Sequence, residues 1–298
     1  MEYIDNKRKL KDYLFKYICF FTSLICILIL VGIFLMLLFN GVKIFREVSF
    51  DNFFLGKTWN PSAAENQEFG ILSMIAGSLI VTTGAMTIAI PLGIGSAAYL
   101  AVFAPPTLQK ILKPAIELIA SIPSVVIGFM GIVLVGPAIA KIFNLPNGLN
   151  ALNGAILLAV MSIPTIVTIS EEAIKSVSHD FIEASYSLGA NSWTTLIKVI
   201  LPSCYSGLIA AVILGVGRAI GETMTVLMAT GNALSMPKSF FDSVRTITAT
   251  IAIELGEVPY GTNHYYSLFA IGSLLFFMTL IFNILAEKVA SHYRNQGR

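Results

Sequence analysis

Two ionisable residues, Arg218 and Glu222, sit four apart in an otherwise apolar run, GLIAAVILGVGRAIGETMTVLMAT, residues 207–230. On a continuous helix that spacing puts both on one face. An arginine near the middle of a bilayer costs about 2.5–3.5 kcal/mol on insertion scales, so such a group persists when it is paired or lines a polar route. The residue types leave two readings open. One is a structural Arg–Glu pair that locks helix packing. The other is an anion site, because a guanidinium presents a planar, permanently charged donor fork to a tetrahedral oxyanion. In that second reading Glu222 holds Arg218 when the site is empty. It then accepts a hydrogen bond from an oxyanion that carries a proton, as phosphate does and sulfate does not near neutral pH. Gly217 and Gly221 beside them form a G-x-x-x-G pair that allows close approach of another helix.

A second stretch, FIEASYSLGANSWTTLIKVILP at residues 181–202, mixes apolar Phe181, Ile182, Tyr186, Leu188 and Trp193 with polar residues. Gly189 divides it, which predicts two short helices joined by a turn. A helix standing off a membrane in this way can dock into a groove on a soluble partner. The plain alternative is an ordinary amphipathic loop. No G-x-x-x-x-G-K-[ST] phosphate loop occurs in the chain, so any ATP-driven role requires a separate ATPase.

The elements that must carry these residues are membrane helices. Hydrophobic residues make up 56% of the chain and charged ones 12%, with mean hydropathy +0.80. Soluble domains carry about twice that charged fraction. The net charge of +2, without a dense basic tract beyond the N-terminus, predicts no nucleic-acid partner. Six spans are expected, near 17–39, 71–100, 115–140, 150–170, 203–229 and 267–289, with kinks near Pro91, Pro123, Pro137 and Pro164. The first run is too long for a signal-peptide core and lacks a cleavage site. Twelve basic residues fall on one side: Lys7, Arg8, Lys9, Lys11, Lys16, Lys110, Lys113, Lys175, Lys198, Lys288, Arg294 and Arg298. Six fall on the other: Lys43, Arg46, Lys57, Lys141, Lys238 and Arg245. The bias places both termini in the cytoplasm. The expected organisation is a cytoplasmic segment 1–16, a first helix with an outer loop at 17–70, a core at 71–290 with a cytoplasmic loop at 171–202, and a tail 291–298. The stretch Val244–Leu255 is too short to span and is expected to be interfacial or re-entrant.

Particular motifs then carry a family resemblance. Glu183-Ala184-Ser185, Gly189 and Leu201-Pro202 resemble the E-A-A loop of ABC importer permeases, with Ser185 for the second Ala and Val199 for Ile. Arg218-Ala219-Ile220-Gly221-Glu222-Thr223 resembles the R-A-x-G-E-T signature of phosphate permeases. Gly56-Lys57-Thr58-Trp59-Asn60-Pro61, Phe69-Gly70-Ile71-Leu72, Lys113-Pro114 with Glu117-Leu118, and Ile122-Pro123-Ser124-Val125-Val126-Ile127-Gly128-Phe129 are similar to the PstC type. The resemblance implies an all-α integral membrane protein with six transmembrane helices and the MetI-like fold of type I ABC importer permeases. It implies a plasma-membrane subunit, itself not an enzyme, of a phosphate importer. Its implied partners are a PstA-type permease, a PstB-type ATPase dimer and an external PstS-type binding protein. It places Arg218, Glu222 and Thr223 in the substrate pathway, and Glu183, Ala184, Gly189, Leu201 and Pro202 at the ATPase contact. Permeases for phosphonate, sulfate or molybdate, and a signalling or scaffold subunit, remain as alternatives.

The remaining candidates are read as structural. Glu117 is expected to pair with Lys113, with a role in transport as the alternative, Glu171 and Glu172 to be solvated, and Glu254 and Glu257 to make structural contacts at the outer face. Cys19, Cys26 and Cys204 are expected to be buried, inert thiols. His179, His264 and His292 show no metal-binding spacing, no nucleophile–base set supports hydrolysis, and no metal or cofactor is expected.

Overall fold

The computed structural model describes residues 2–63 and 65–296, with side chains described for 13–63, 65–285 and 287–288. Met1, Ala64 and residues 297–298 lie outside the described residues, and so do parts of the expected segments 1–16 and 291–298. The side chains of Lys7, Arg8, Lys9, Lys11, Arg294 and Arg298, which entered the orientation argument, lie outside it as well.

Backbone groups in a bilayer must pair internally, and the chain accordingly runs helix after helix. Helix α1 (Glu2–Gly41) is charged over its first turns and apolar on every side over 17–39, and none of its most apolar window is buried. Among the described residues only its second half packs, through Phe34 against Phe276 and Phe277, so the rest of this apolar surface is lipid-facing. Cys19 and Cys26 are exposed on it, which corrects the expectation of burial: α1 stands at the periphery, so its thiols face outward. A 3-10 turn (Val42–Arg46) leads to α2 (Phe50–Leu55), capped by the Ser49 hydroxyl. A short antiparallel hairpin, β1 (Trp59–Asn60) and β2 (Glu68–Phe69), sets Trp59 opposite Phe69.

Helix α3 (Leu72–Ala98) continues through a π-turn, Tyr99–Phe103, and α4 (Pro106–Ser121) follows. The chain is extended at Ile122 and Pro123. Then α5 (Ser124–Met130), a π segment (Gly131–Val135) and α6 (Gly136–Phe143) form one apolar crossing. The expected span 115–140 is thereby corrected: Pro123 disfavours helical backbone at Ile122, so α4 is separate and the crossing begins at Ser124. Of the other prolines, Pro91 and Pro164 stay inside helices. Pro137 follows the π segment Gly131–Val135 inside the crossing that runs from Ser124 to Phe143.

Helix α7 (Ala151–Lys175) is capped by Asn150, whose Oδ1 accepts from the Asn153 N–H. Beyond it lie α8 (His179–Ser187), α9 (Ser192–Thr195), a π segment (Leu196–Ile200) and α10 (Leu201–Ser203). These supply the helical character expected of 171–202. The rest is α11 (Tyr205–Gly221), α12 (Met224–Ala229), α13 (Ile247–Glu254) and α14 (Asn263–Gln296). Among the described residues five segments are long and apolar enough to cross a membrane, and a bent pair, Ser192–Ser203 with Tyr205–Gly221, supplies the sixth. The expected unbroken span 203–229 is corrected. The chain turns by 73° after Pro202 withdraws a backbone donor, and it opens again at Glu222–Thr223.

The core has three storeys. In the middle, α3 and α7 lie along each other, with Val81, Ala85, Ala89, Ala155, Leu158 and Ile166 buried between them and α11. At one end Leu100, Val167, Ile174, Leu196, Ile200 and Leu208 close the bundle over the 171–202 segment. At the other end Ile44, Phe53, Trp59, Ile71, Met74, Ile247 and Leu268 bind the 42–71 segment to α13 and α14. Close packing rather than water exclusion holds such a bundle in lipid. A Cβ on Gly93 would meet Ile166 Cγ2 at 2.6 Å, so this glycine admits α7 against α3. By contrast, nothing lies within 4 Å of a Cβ on Gly221, and only Asn283 Oδ1 approaches Gly217, at 3.8 Å. The expected G-x-x-x-G approach is therefore absent within the described chain, and that face of α11 is open. The Val244–Leu255 stretch folds as α13, about 12 Å long, with Ile247, Thr248, Ala249 and Thr250 buried.

Candidate functional site

Arg218 lies in the last turn of α11, where a cation complements the helix dipole, and its side chain is exposed. The helix stops at Gly221. Glu222 has extended backbone (φ −69°, ψ 134°), so it leaves the face that Arg218 occupies. Its Oε1 accepts from the Thr225 N–H at 3.3 Å and caps α12. The expected Arg218–Glu222 pair is corrected for that reason: the four-residue spacing holds only on an unbroken helix. Arg218 Nη1 instead donates to Thr165 Oγ1 on α7, at 3.3 Å. Thr223 turns its hydroxyl to the Gly221 carbonyl at 3.3 Å, back along the break.

Three neighbours hold this break. Thr248 of α13 donates to the Glu222 carbonyl at 2.8 Å. Thr225 donates to the Ser124 carbonyl at the start of α5, at 3.1 Å. Buried Asn153 of α7 donates through Nδ2 to Gly131 O at 3.0 Å and Ala229 O at 3.2 Å, tying the π segment of the third crossing to the end of α12. Beside Arg218's partner, a cavity of about 290 Å³ is lined by Glu117, Ala120, Pro164, Thr165, Thr168 and Ile169. Sequence reading missed Thr165 and Thr168. Their signal was a hydroxyl directly after an intrahelical proline, with a second one three residues on.

At one end of the bundle, Glu183 and Ala184 are exposed on α8. Gly189 takes a left-handed conformation, φ +82°, and its N–H reaches the Tyr186 carbonyl at 2.9 Å. Asn191 Oδ1 then accepts from the Thr194 N–H and starts α9. Ser185, in place of an alanine, pairs its hydroxyl with that of Thr195 at 2.9 Å and closes the two helices on each other. Leu201 is half-buried and Pro202 exposed in α10. Phe181, Tyr186 and Trp193 are exposed, with Trp193 approached on one side by the Phe103 ring at 6.4 Å, and Leu188 is 89% exposed, so the tip of the loop leaves most of its apolar surface uncovered among the described residues. Behind it Glu171 is buried at 2% and takes Lys175 Nζ at 2.6 Å and Lys113 Nζ at 3.4 Å. This corrects two expectations: Glu171 is not solvated, and Lys113 pairs with it rather than with Glu117, because α4 packs against the end of α7.

At the opposite end, Glu254 accepts from Trp59 Nε1 at 3.0 Å and Arg245 Nη1 at 2.9 Å, and lies 2.8 Å from His264 Nε2. The structural role expected of Glu254 thus has a definite form: it fastens the 56–70 loop to α13 and α14. The backbone N–H groups of Lys238 and Ser239 hold the Asp242 carboxyl below its ordinary range, and the Asp242 carbonyl accepts the first N–H of α7.

A bundle with a bent fifth crossing, an interrupted helix carrying an unpaired charge on an open face, and an apolar loop held out at one end has the architecture of an ABC importer permease. A solved inward-facing MetNI methionine ABC transporter matches it with TM-score 0.58, covering 75% of this chain and 97% of that one at 16% identity, a likeness of fold. The chain belongs to the family of binding-protein-dependent transport system inner membrane components, whose profile matches residues 89–295. It is 38% identical over 259 residues to a probable ABC transporter permease protein, YqgH, of Bacillus subtilis strain 168, covering 85% of this chain and 84% of the relative. It is 32% identical over 285 residues to the phosphate transport system permease protein PstC of Mesorhizobium japonicum, covering 89% and 86%. It is therefore a multi-pass inner-membrane transport component that works with an ATPase and a substrate-binding protein.

Proposed function

We propose that the chain is the PstC-type permease subunit of an ATP-driven phosphate importer. It would form the translocation path with a PstA-type permease, couple to a PstB-type ATPase dimer, and receive phosphate from a PstS-type external binding protein, with both of its termini in the cytoplasm. The observation that carries this reading is Arg218: a permanent charge exposed beside a break in an apolar helix, next to the open space at Gly221, and bonded to a hydroxyl of α7 rather than to a carboxylate among the described residues. Such a group is available to meet an anion, and the likeness to PstC permeases supports phosphate as that anion. The exposed tip Leu188–Trp193 supports docking on the ATPase, with Glu183, Ala184 and Gly189 shaping α8 and its turn and Leu201–Pro202 rooting the loop in the bundle. ATP binding closes the ATPase dimer, the loop moves with it, and the cavity changes the side to which it opens.

Phosphate uptake in a strain lacking the gene, and in the same strain carrying it on a plasmid, tests the reading. Uptake restored by the plasmid, and competed by phosphate but not by phosphonate, sulfate or molybdate, supports it. Uptake retained without the gene, with phosphate regulation lost, supports a scaffold or signalling subunit instead.

A further inference from the structure

Hydroxyls in helices ordinarily return their proton to a carbonyl three or four residues back. In this chain Thr22, Thr83, Thr87, Thr230, Thr250 and Ser273 do so. Thr165 and Thr168 do not. Thr165 Oγ1 accepts from Arg218, and the Thr168 hydroxyl has no partner among the described residues. Both line the cavity of about 290 Å³, which the exposed Glu117 of α4 lines as well. A water molecule's share of liquid volume is about 30 Å³, so the space admits a hydrated tetrahedral oxyanion. Glu222, the acid expected beside Arg218, is engaged as the cap of α12.

Building on the reading of Arg218 as an anion contact, we infer that Thr165, Thr168 and Glu117 complete the oxyanion site. Thr165 parks the guanidinium when the site is empty. Both hydroxyls then donate to unprotonated oxygens of the anion, and Glu117 accepts the hydrogen bond from its remaining O–H. The class of ligand selected is a tetrahedral oxyanion that keeps a proton near neutral pH. A fully ionised oxyanion brings Glu117 no proton and meets its negative charge. Sites built to bond a hydroxyl discriminate against analogues that lack it, because the acceptor is left without that partner.

The test uses the assembled transporter in nanodiscs, titrated with radiolabelled phosphate and sulfate without the soluble binding protein, and phosphate uptake in proteoliposomes. Glu117→Gln narrows the preference for phosphate over sulfate by about tenfold, chiefly by tightening sulfate. Thr165→Val and Thr168→Val each weaken phosphate binding and raise the KM of uptake by about five- to tenfold, while Thr165→Ser keeps wild-type values. An unchanged phosphate-to-sulfate ratio in Glu117→Gln, equal binding of the two anions by the wild type, or a wild-type KM in Thr165→Val overturns the inference. If those results come with phosphate uptake that Arg218→Ala abolishes, the permease reading stands and only this site assignment falls.

Discussion

Gly189 offers a perturbation whose size follows from backbone geometry alone. Its φ of +82° lies in the left-handed region, and nothing stands within 4 Å of where a Cβ would project. Gly189→Ala therefore meets no clash, and its whole effect is conformational, about 1–2 kcal/mol for an L-residue held in this region. If the turn must keep this shape to present Leu188 and Trp193, docking of the ATPase weakens by the corresponding factor, about 5- to 30-fold. Asparagine visits left-handed backbone more readily, so Gly189→Asn falls between wild type and alanine, and the β-branched Gly189→Val is worst. The assay is the affinity of purified ATPase for the membrane subunits, read with phosphate uptake per ATP hydrolysed. Wild-type affinity in the alanine variant, or asparagine as damaging as valine, refutes the argument that this turn presents the docking surface.

Other expectations follow from single contacts. Trp59→Phe keeps the ring but removes the N–H that reaches Glu254, and costs about 1–3 kcal/mol as the part-buried carboxylate loses a donor; protease sensitivity of the 56–70 loop reports it. Asn153→Leu deletes two buried hydrogen bonds that brace the break after α11, each worth about 0.6 kcal/mol in membrane settings. It should lower transport more than expression, measured as uptake per unit of inserted protein. Asp242 has its folded pKa depressed by two backbone N–H donors, so its contribution is present above the unfolded carboxyl range and fades as pH falls through the lower folded value. Hydrogen exchange in residues 238–242 should therefore speed up only below that range, and Asp242→Asn should remove the pH step.

Much of this architecture was legible because lipid imposes a simple demand: apolar runs long enough to cross must be helices. The loop at 181–202 was legible for a similar reason, since Gly189 and the apolar residues around it have no other economical arrangement. The breaks were not. Periodicity carried Arg218 and Glu222 onto one face, whereas Thr248, Thr225 and Asn153 stabilise a stop at Gly221 through contacts 26 to 101 residues away in sequence. Likewise Ile122–Pro123 separated α4 from a crossing that hydropathy had merged, and Glu171 proved to be buried because α4 and Lys113 return to cover it. Thr165 and Thr168 look like ordinary helix threonines until α11 is placed beside them.

The most direct measurement is phosphate uptake by complexes carrying Arg218→Ala and Arg218→Lys, with membrane insertion and ATPase binding measured on the same preparations. The account predicts that both variants insert and bind the ATPase as wild type does. Uptake should be abolished in the alanine variant and poorly restored by lysine, which lacks the planar fork. Wild-type uptake by Arg218→Ala would contradict it.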